Sequence, residues 1–306
     1  MKVAIIGRTE TLYETACMLR AAGHEIVCII TSKEAPEYTH SADDFCNLAN
    51  QWGIPFICSP TSEECYNFLS KKQADIAISI NYSSIIPTRI VNIFTLGILN
   101  AHGGDLPRYR GNACQAWAIL NGEERIGICI HKMIGDELDS GDIIARDYML
   151  IDHTTKVTHI LEWMRQRIPN LMIEAIEKLA HNTNYILESQ SKDPKNALRC
   201  YPRHPEDGKI DWNLSAIEIL RLINASNKPY AGAFCEFEGE NLIIWDAELV
   251  DDGEIFCAIP GQVTKIGNGF IEVACQDGKI AILICEINGV IYTPSAIIKS
   301  IRKRLN

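Results

Sequence analysis

No two of the twelve cysteines (17, 28, 46, 58, 65, 114, 129, 200, 235, 257, 275 and 285) have C-x-x-C spacing, which removes the simplest zinc and dithiol redox sites. They read as buried thiols of a protein kept in a reducing cytoplasm. No apolar run approaches the ~20 residues needed to cross a bilayer. The opening Met1-Lys2-Val3-Ala4-Ile5-Ile6-Gly7 enters directly what reads as a strand, so neither a membrane span nor a targeting segment is expected. A basic excess is also missing: the net charge is −10, and the chain after Arg199 carries ten Lys and Arg against fifteen Asp and Glu. Nucleic acid is therefore not an expected partner, because its backbone draws on clustered cations. Only residues 299–304 are locally basic, and the end of a C-terminal helix accounts for them. The turn Gly7-Arg8-Thr9-Glu10 lacks G-x-G-x-x-G, so no nicotinamide dinucleotide is expected.

What remains is an ordinary folded protein of two domains: 306 residues, 47% hydrophobic and 22% charged. Short β-rich runs at 3–6, 26–30, 54–57 and 76–80 alternate with amphipathic segments at 11–21, 42–51 and 63–71. That alternation predicts an α/β fold, a Rossmann-like, mostly parallel sheet covered by helices. A long helix is expected near 156–180, and the polar segment 189–197, with Asp193-Pro194, reads as a linker. The expected boundaries are 1–190 for a catalytic domain and 200–306 for a smaller β-rich one. In the latter a helix at 215–224 precedes five short strands at 233–237, 241–245, 262–266, 270–275 and 280–284. Their spacing fits an open OB-like barrel.

Chemistry concentrates in residues 97–142. Asn100 and His102, two apart in a strand, project from one face, and a loop of small and turn-forming residues follows at 103–111. The loop 135–142 holds four carboxylates between glycines. Asn100 suits donation to an oxyanion, His102 suits proton transfer from an attacking amine, and Asp139 suits orienting that imidazole and stabilising its protonated form. Singly, each has another reading. A strand asparagine or a lone histidine is commonly structural, an acidic loop is commonly a solvated turn, and His102, His131 and an aspartate could ligate a metal. No metal is expected.

The run Asn100-Ala101-His102, then Leu106-Pro107-Arg108-Tyr109-Arg110-Gly111, Ala118-Ile119-Leu120-Asn121-Gly122-Glu123 and Leu138-Asp139-Ser140-Gly141-Asp142-Ile143, resembles the folate-dependent formyltransferase family. The second half resembles the C-terminal domain joined to such enzymes, through Pro205-Glu206-Asp207-Gly208-Lys209-Ile210-Asp211-Trp212, Lys228-Pro229-Tyr230-Ala231-Gly232-Ala233-Phe234 and Pro260-Gly261-Gln262-Val263. The resemblance implies 10-formyltetrahydrofolate as formyl donor and Asn100, His102 and Asp139 as the catalytic set. It also implies a pterin pocket lined by Asn81, Tyr82, Ile85, Ile86 and Asp136. A C-terminal domain of this kind would stabilise the catalytic domain or complete a homodimer.

Departures from the family pattern bear on the acceptor. Gly103-Gly104-Asp105 follows the histidine where the methionyl-tRNA enzymes carry a serine and leucines, and Cys114 stands where a proline is usual. The segment 31–44, basic in those enzymes, here holds Glu34, Glu37, Asp43 and Asp44 against only Lys33. A polyanion would be repelled. Gly7-Arg8-Thr9-Glu10 instead resembles the start of the sugar N-formyltransferases. That implies a nucleotide-linked amino sugar as acceptor, with Arg8, Thr9 and Arg110 as its contacts and surface-glycan biosynthesis as its setting. Methionyl-tRNA formyltransferase and a formyltetrahydrofolate hydrolase are the alternatives.

Overall fold

The computed structural model describes residues 1–36 and 38–306; Glu37, one of the acidic residues of the 31–44 segment, lies outside the described residues. The chain divides into two compact units. One comprises Met1–Cys114, Ile126–Met149 and Glu162–Tyr201; the other comprises Gln115–Arg125, Leu150–Leu161 and Pro202–Asn306. Two short pieces from earlier in the chain thus pack with the C-terminal residues.

In the first unit, β1 (Lys2–Gly7), β2 (Glu25–Thr31), β3 (Phe56–Cys58), β4 (Ile76–Ile80) and β5 (Ile98–His102) run parallel. The full seven-stranded order is β3-β2-β1-β4-β5-β7-β8, with β7 (Arg125–Lys132) and β8 (Ile143–Leu150) at the far edge and β7 antiparallel to β5. Strands β1 and β4 are almost wholly buried, as expected of strands covered on both faces. Helices α1 (Glu10–Ala21), α2 (Ala42–Trp52) and α3 (Ser62–Leu69) start where the sequence supplies caps. Ser41 with Asp44, and Thr61 with Glu64, each close a reciprocal capping box. The sheet order reverses between β1 and β4, where an open α/β sheet leaves a crevice at its strand ends. Gly7 ends β1 there with φ +136, and a Cβ would lie 2.1 Å from the Ile80 carbonyl oxygen, so the two strand ends approach closely only with glycine.

Further elements complete this unit. They are α4 (Thr88–Val91), β6 (Arg110–Gly111), the start of α5 (Cys114–Leu120), most of α6 (Val157–His181) and β9 (Arg199–Cys200), which pairs with β6 in parallel. The 189–197 segment, read from its polarity as a linker, falls within the first compact unit. Gln190 within it is buried, and Glu188 just before it pairs antiparallel with Ile143.

The second unit is built on α7 (Ala216–Ala225), β10 (Ala233–Phe237), β11 (Glu240–Val250), β12 (Val263–Ile266), β13 (Ile271–Ala274), β14 (Lys279–Ile287), β15 (Val290–Tyr292) and α8 (Pro294–Ile297). Its antiparallel sheet runs β10-β11-β14-β13-β12, with β15 on β14. The core lies between Ile219, Leu220 and Ile223 of α7 and inward residues such as Leu242, Ile244, Val273 and Ile282. Strands β11 and β14 are longer than expected and β15 is additional. Of the basic residues 299–304, which follow α8, Lys299 caps its last turn by donating to the Ser295 carbonyl, while Lys303 pairs with Glu238 instead.

All twelve cysteines are free thiols, but the expectation that all are buried fails. Cys58 and Cys257 are exposed, and Cys17 and Cys46 are half-buried. Among the described residues, no helix is long and apolar enough to cross a membrane.

Candidate active site

Strand β5 delivers Asn100 and His102 to the carboxyl end of the sheet, and β7 beside it is in register so that Asn100 opposes His131. The Asn100 Nδ2 amide lies 3.1 Å from His131 Nε2. His131 is 1% exposed, and its Nδ1 faces the Lys132 carbonyl at 3.0 Å. A carbonyl only accepts, so Nδ1 carries the hydrogen and Nε2 is left to accept from Asn100.

Asp139 reaches both histidines from the loop after β7. Its Oδ2 is 3.5 Å from His102 Nδ1, its Oδ1 is 3.5 Å from His131 Nε2, and the Gly111 N–H donates to Oδ2 at 2.9 Å. Burial works to raise the Asp139 pKa. The positive charge that the two neighbouring imidazoles can carry, together with the Gly111 N–H, outweighs it, so the carboxyl is held well below the usual range and stays ionised. On its other side, His102 Nε2 bonds the Tyr109 carbonyl at 2.6 Å. That fixes the hydrogen on Nε2 and leaves Nδ1, beside Asp139, as the ring position that can take a proton. The Cys114 thiol donates to the same Tyr109 carbonyl at 2.9 Å. Interaction with Cys200, reinforced by burial, pushes the Cys114 pKa up, so the thiol stays protonated as a donor to the loop.

The remaining residues expected at the site fall into two groups. In the first, Asp136 accepts from the Thr88 backbone N–H at 3.1 Å and its hydroxyl at 2.8 Å, which lowers its pKa, and its own N–H bonds the Ile86 carbonyl at 3.2 Å. These bonds tie the 134–139 loop to the 81–88 segment. Ile85 there is exposed, whereas the Ile86 side chain is packed in the core. Tyr82 is half-buried, and burial pushes its hydroxyl up to about 12, while Asn81 takes a left-handed φ of +51. In the second group, Arg8 donates to the Asn81 carbonyl at 3.1 Å and the Lys33 carbonyl at 2.9 Å, spanning the carboxyl ends of β4 and β2, with its guanidinium over the Tyr38 ring. Thr9 caps α1 and is buried. Arg110 turns to Gln190, with Nη2 2.7 Å from Oε1. Asn100, His102 and Asp139 are thus brought together, whereas Arg8 and Thr9 sit at the β1 end and Arg110 points toward the 190 segment.

Three features escape a reading of sequence alone. His131 orients Asn100, and only the β5–β7 register reveals it. Gly104 packs against His102. Gln190 bonds the Asp139 loop from a segment whose composition gives no signal. Among the described residues, no group of three or more His, Cys, Asp or Glu is arranged to hold a metal ion.

The formyl transferase family matches residues 1–176, and the formyl transferase C-terminal domain matches residues 203–302. The chain belongs to the formyl transferase family. The enzyme is 26% identical over 297 residues to a methionyl-tRNA formyltransferase of Lachnospira eligens, with 94% of this chain and 93% of that protein covered. Its fold is that of an N-formyltransferase from Helicobacter canadensis, solved with folinic acid and dTDP-3-aminofucose (TM-score 0.70, 19% identity, 92% and 99% covered). It is also that of HypX from Aquifex aeolicus in complex with tetrahydrofolic acid (TM-score 0.64, 16% identity, 98% of this chain covered). The chain spans about half the length of HypX, with 47% of that chain covered.

For a formyl transferase the arrangement makes chemical sense. Moving a formyl group to an amine requires a donor for the oxyanion, a group to take the amine proton, and a fixed negative charge to hold the protonated base. An amide, an imidazole and an ionised carboxylate, linked by distances of 3.1 to 3.5 Å through His131 and Asp139, are groups that could serve these needs.

Proposed function

We propose that this formyl transferase takes its formyl group from 10-formyltetrahydrofolate and delivers it to the amine of a nucleotide-linked amino sugar. The observation that carries the catalytic part is the convergence of Asn100, His102 and Asp139 at the carboxyl end of β5. The amine loses its proton to His102 Nδ1, and Asp139 holds the resulting imidazolium. As the amine bonds to the formyl carbon, the free N–H of Asn100, fixed in direction by His131, meets the developing oxyanion. The proton then passes to the departing folate nitrogen. The donor lies along residues 81–87 and the 134–139 loop, where the exposed Ile85 and Ile134 offer apolar surface and Asp136 a carboxylate.

Two observations support a nucleotide sugar. Arg8 stands at the strand ends with its guanidinium anchored by two backbone carbonyls, a placement suited to a diphosphate. Glu34, Asp43 and Asp44 make the neighbouring segment unfavourable for an RNA backbone. The Helicobacter canadensis protein, of the same fold, was solved with dTDP-3-aminofucose. A methionyl-tRNA acceptor is the second reading, favoured by the 26% identity to the Lachnospira eligens protein. In the first reading residues 1–190 are the catalytic domain, and residues 200–306 serve stability or a homodimer rather than donor binding.

The test is a side-by-side assay with 10-formyltetrahydrofolate, offering a panel of nucleotide-linked amino sugars and charged initiator tRNA. Formylation of an amino sugar, abolished in Arg8→Ala, is expected. Micromolar, salt-dependent binding of the tRNA with formylation of its methionine would overturn the sugar reading.

A further inference from the structure

The pairing of Glu188 with Ile143 is antiparallel, with reciprocal bonds between the two backbones: Ile143 N–H to the Glu188 carbonyl at 2.8 Å, and Glu188 N–H to the Ile143 carbonyl at 3.2 Å. Two residues on in one direction and two back in the other, this register sets Gln190 opposite Gly141. There the Gln190 Nε2 donates to the Asp139 carbonyl at 3.0 Å and to the Gly141 carbonyl at 2.6 Å. Its Oε1 accepts from Arg110 Nη2 at 2.7 Å. Both N–H donors of this amide go to the loop and its oxygen goes to Arg110, in a side chain only 7% exposed.

Asp139 needs such a hold. Its φ is +49, a left-handed conformation that residues with a Cβ rarely keep without external restraint. Gly141 closes the turn tightly, since a Cβ there would lie 1.8 Å from the Lys132 carbonyl oxygen. The bonds form a ring. The Asp139 carboxylate accepts from the Gly111 N–H, the preceding Arg110 donates to Gln190, and Gln190 returns to the Asp139 backbone carbonyl. Moving any member moves the carboxylate relative to His102 Nδ1.

We infer that Gln190 is a positioning residue for formyl transfer: it locks the backbone of Asp139 so that the carboxylate faces His102, and Arg110 is its anchor. This rests on the catalytic role proposed for Asp139. A carboxylate misplaced by about 1 Å costs between tenfold and a hundredfold in turnover, while the substrates bind as before.

The experiment compares Gln190→Met, Gln190→Glu, Asp139→Asn and the Asp139→Asn/Gln190→Met double variant in kcat and in KM for each substrate. Gln190→Glu keeps an oxygen for Arg110 but loses both N–H donors, and it serves also if Gln190→Met does not fold. The expected result is a kcat at least tenfold lower in either Gln190 variant with both KM values within about twofold. A fall in kcat without a rise in either KM is what a misplaced catalytic group gives and a general loss of structure does not. The double variant should be no slower than Asp139→Asn alone. Wild-type kcat in folded Gln190→Met or Gln190→Glu, or losses that multiply in the double variant, would overturn the inference. Wild-type kcat in Asp139→Asn would instead remove the catalytic reading beneath it, so the two failures are told apart by that single variant.

Discussion

Asn100 and His131 are cross-strand partners whose side chains meet at 3.1 Å, amide nitrogen to imidazole nitrogen. The pairing uses one hydrogen of the Asn100 amide and fixes the plane of the other, so in the proposed mechanism the oxyanion donor is preorganised. Preorganisation is what makes a single neutral hydrogen bond valuable in a transition state. Asn100→Ala should lower kcat by ~10²–10³, with binding of the folate donor retained. Steady-state kinetics combined with donor titration checks this, and a kcat within a few fold of wild type would remove Asn100 from the mechanism.

His102 has its Nε2 fixed on the Tyr109 carbonyl at 2.6 Å and its Nδ1 turned to Asp139. If Nδ1 takes the amine proton, activity must fall at low pH as that nitrogen becomes occupied. His102→Asn should lose the acidic limb of the kcat/KM profile together with most of the rate, about 10²-fold or more. A variant with near-native rate and the same limb would transfer the proton to Asp139 instead.

Asp139 also links activity to stability. Its pKa is depressed in the folded protein, so its ionised form contributes stability that is fully present above the unfolded value of ~3.9 and is lost as pH falls toward the folded value. The difference in unfolding free energy between wild type and Asp139→Asn should therefore hold steady near neutral pH and shift by about 1 kcal/mol against the wild type by pH 3. Urea titrations at both pH values measure it. A difference independent of pH would mean that the carboxyl is not held low.

The legible and the illegible parts of this molecule divide on range of interaction. Runs 3–6, 26–30 and 76–80 are apolar without alternation because both sheet faces are covered, and they coincide with β1, β2 and β4. The proposed catalytic pair, Asn100 and His102, is readable because two-residue spacing in a strand is a local rule. The hairpin between β14 and β15 also carries a local signal, one that strand spacing does not use: Asn288-Gly289, with φ +50 and +78, is the dipeptide that a tight turn demands. His131 and Gln190 have no such signal. Each acts through a partner 31 or more residues away, Asn100 for one and Asp139 and Arg110 for the other, and strand register rather than composition brings them together. The segment 189–197 has a linker's polarity, yet Gln190 within it spends its amide on the catalytic loop, so polarity alone does not separate the two roles.

Gly104 yields the last prediction, and it explains why a glycine stands two residues after His102. Gly104 is buried, and a Cβ on it would lie 2.3 Å from the Tyr109 carbonyl oxygen and 2.6 Å from His102 Nε2. These are the two atoms joined by the 2.6 Å hydrogen bond that orients the imidazole. A methyl cannot share that space, so either the Tyr109 carbonyl retreats or the ring rotates, and in both cases Nδ1 leaves its place beside Asp139. The Tyr109 backbone has little freedom to yield, since it sits at φ +55 and its carbonyl also accepts from the Cys114 thiol. Gly104→Ala should cost about 1–3 kcal/mol of stability through overpacking and lower kcat by about tenfold or more, as a misplaced catalytic group does. Donor binding along 81–87 should survive. Gly278→Ala is the control, because a Cβ there meets only Ala216 Cβ at 3.7 Å, an ordinary contact, and should change neither quantity. Urea unfolding and kcat measured on both variants decide the matter, and a Gly104→Ala enzyme with wild-type turnover would show that the Tyr109 contact is not what holds His102 in its working orientation.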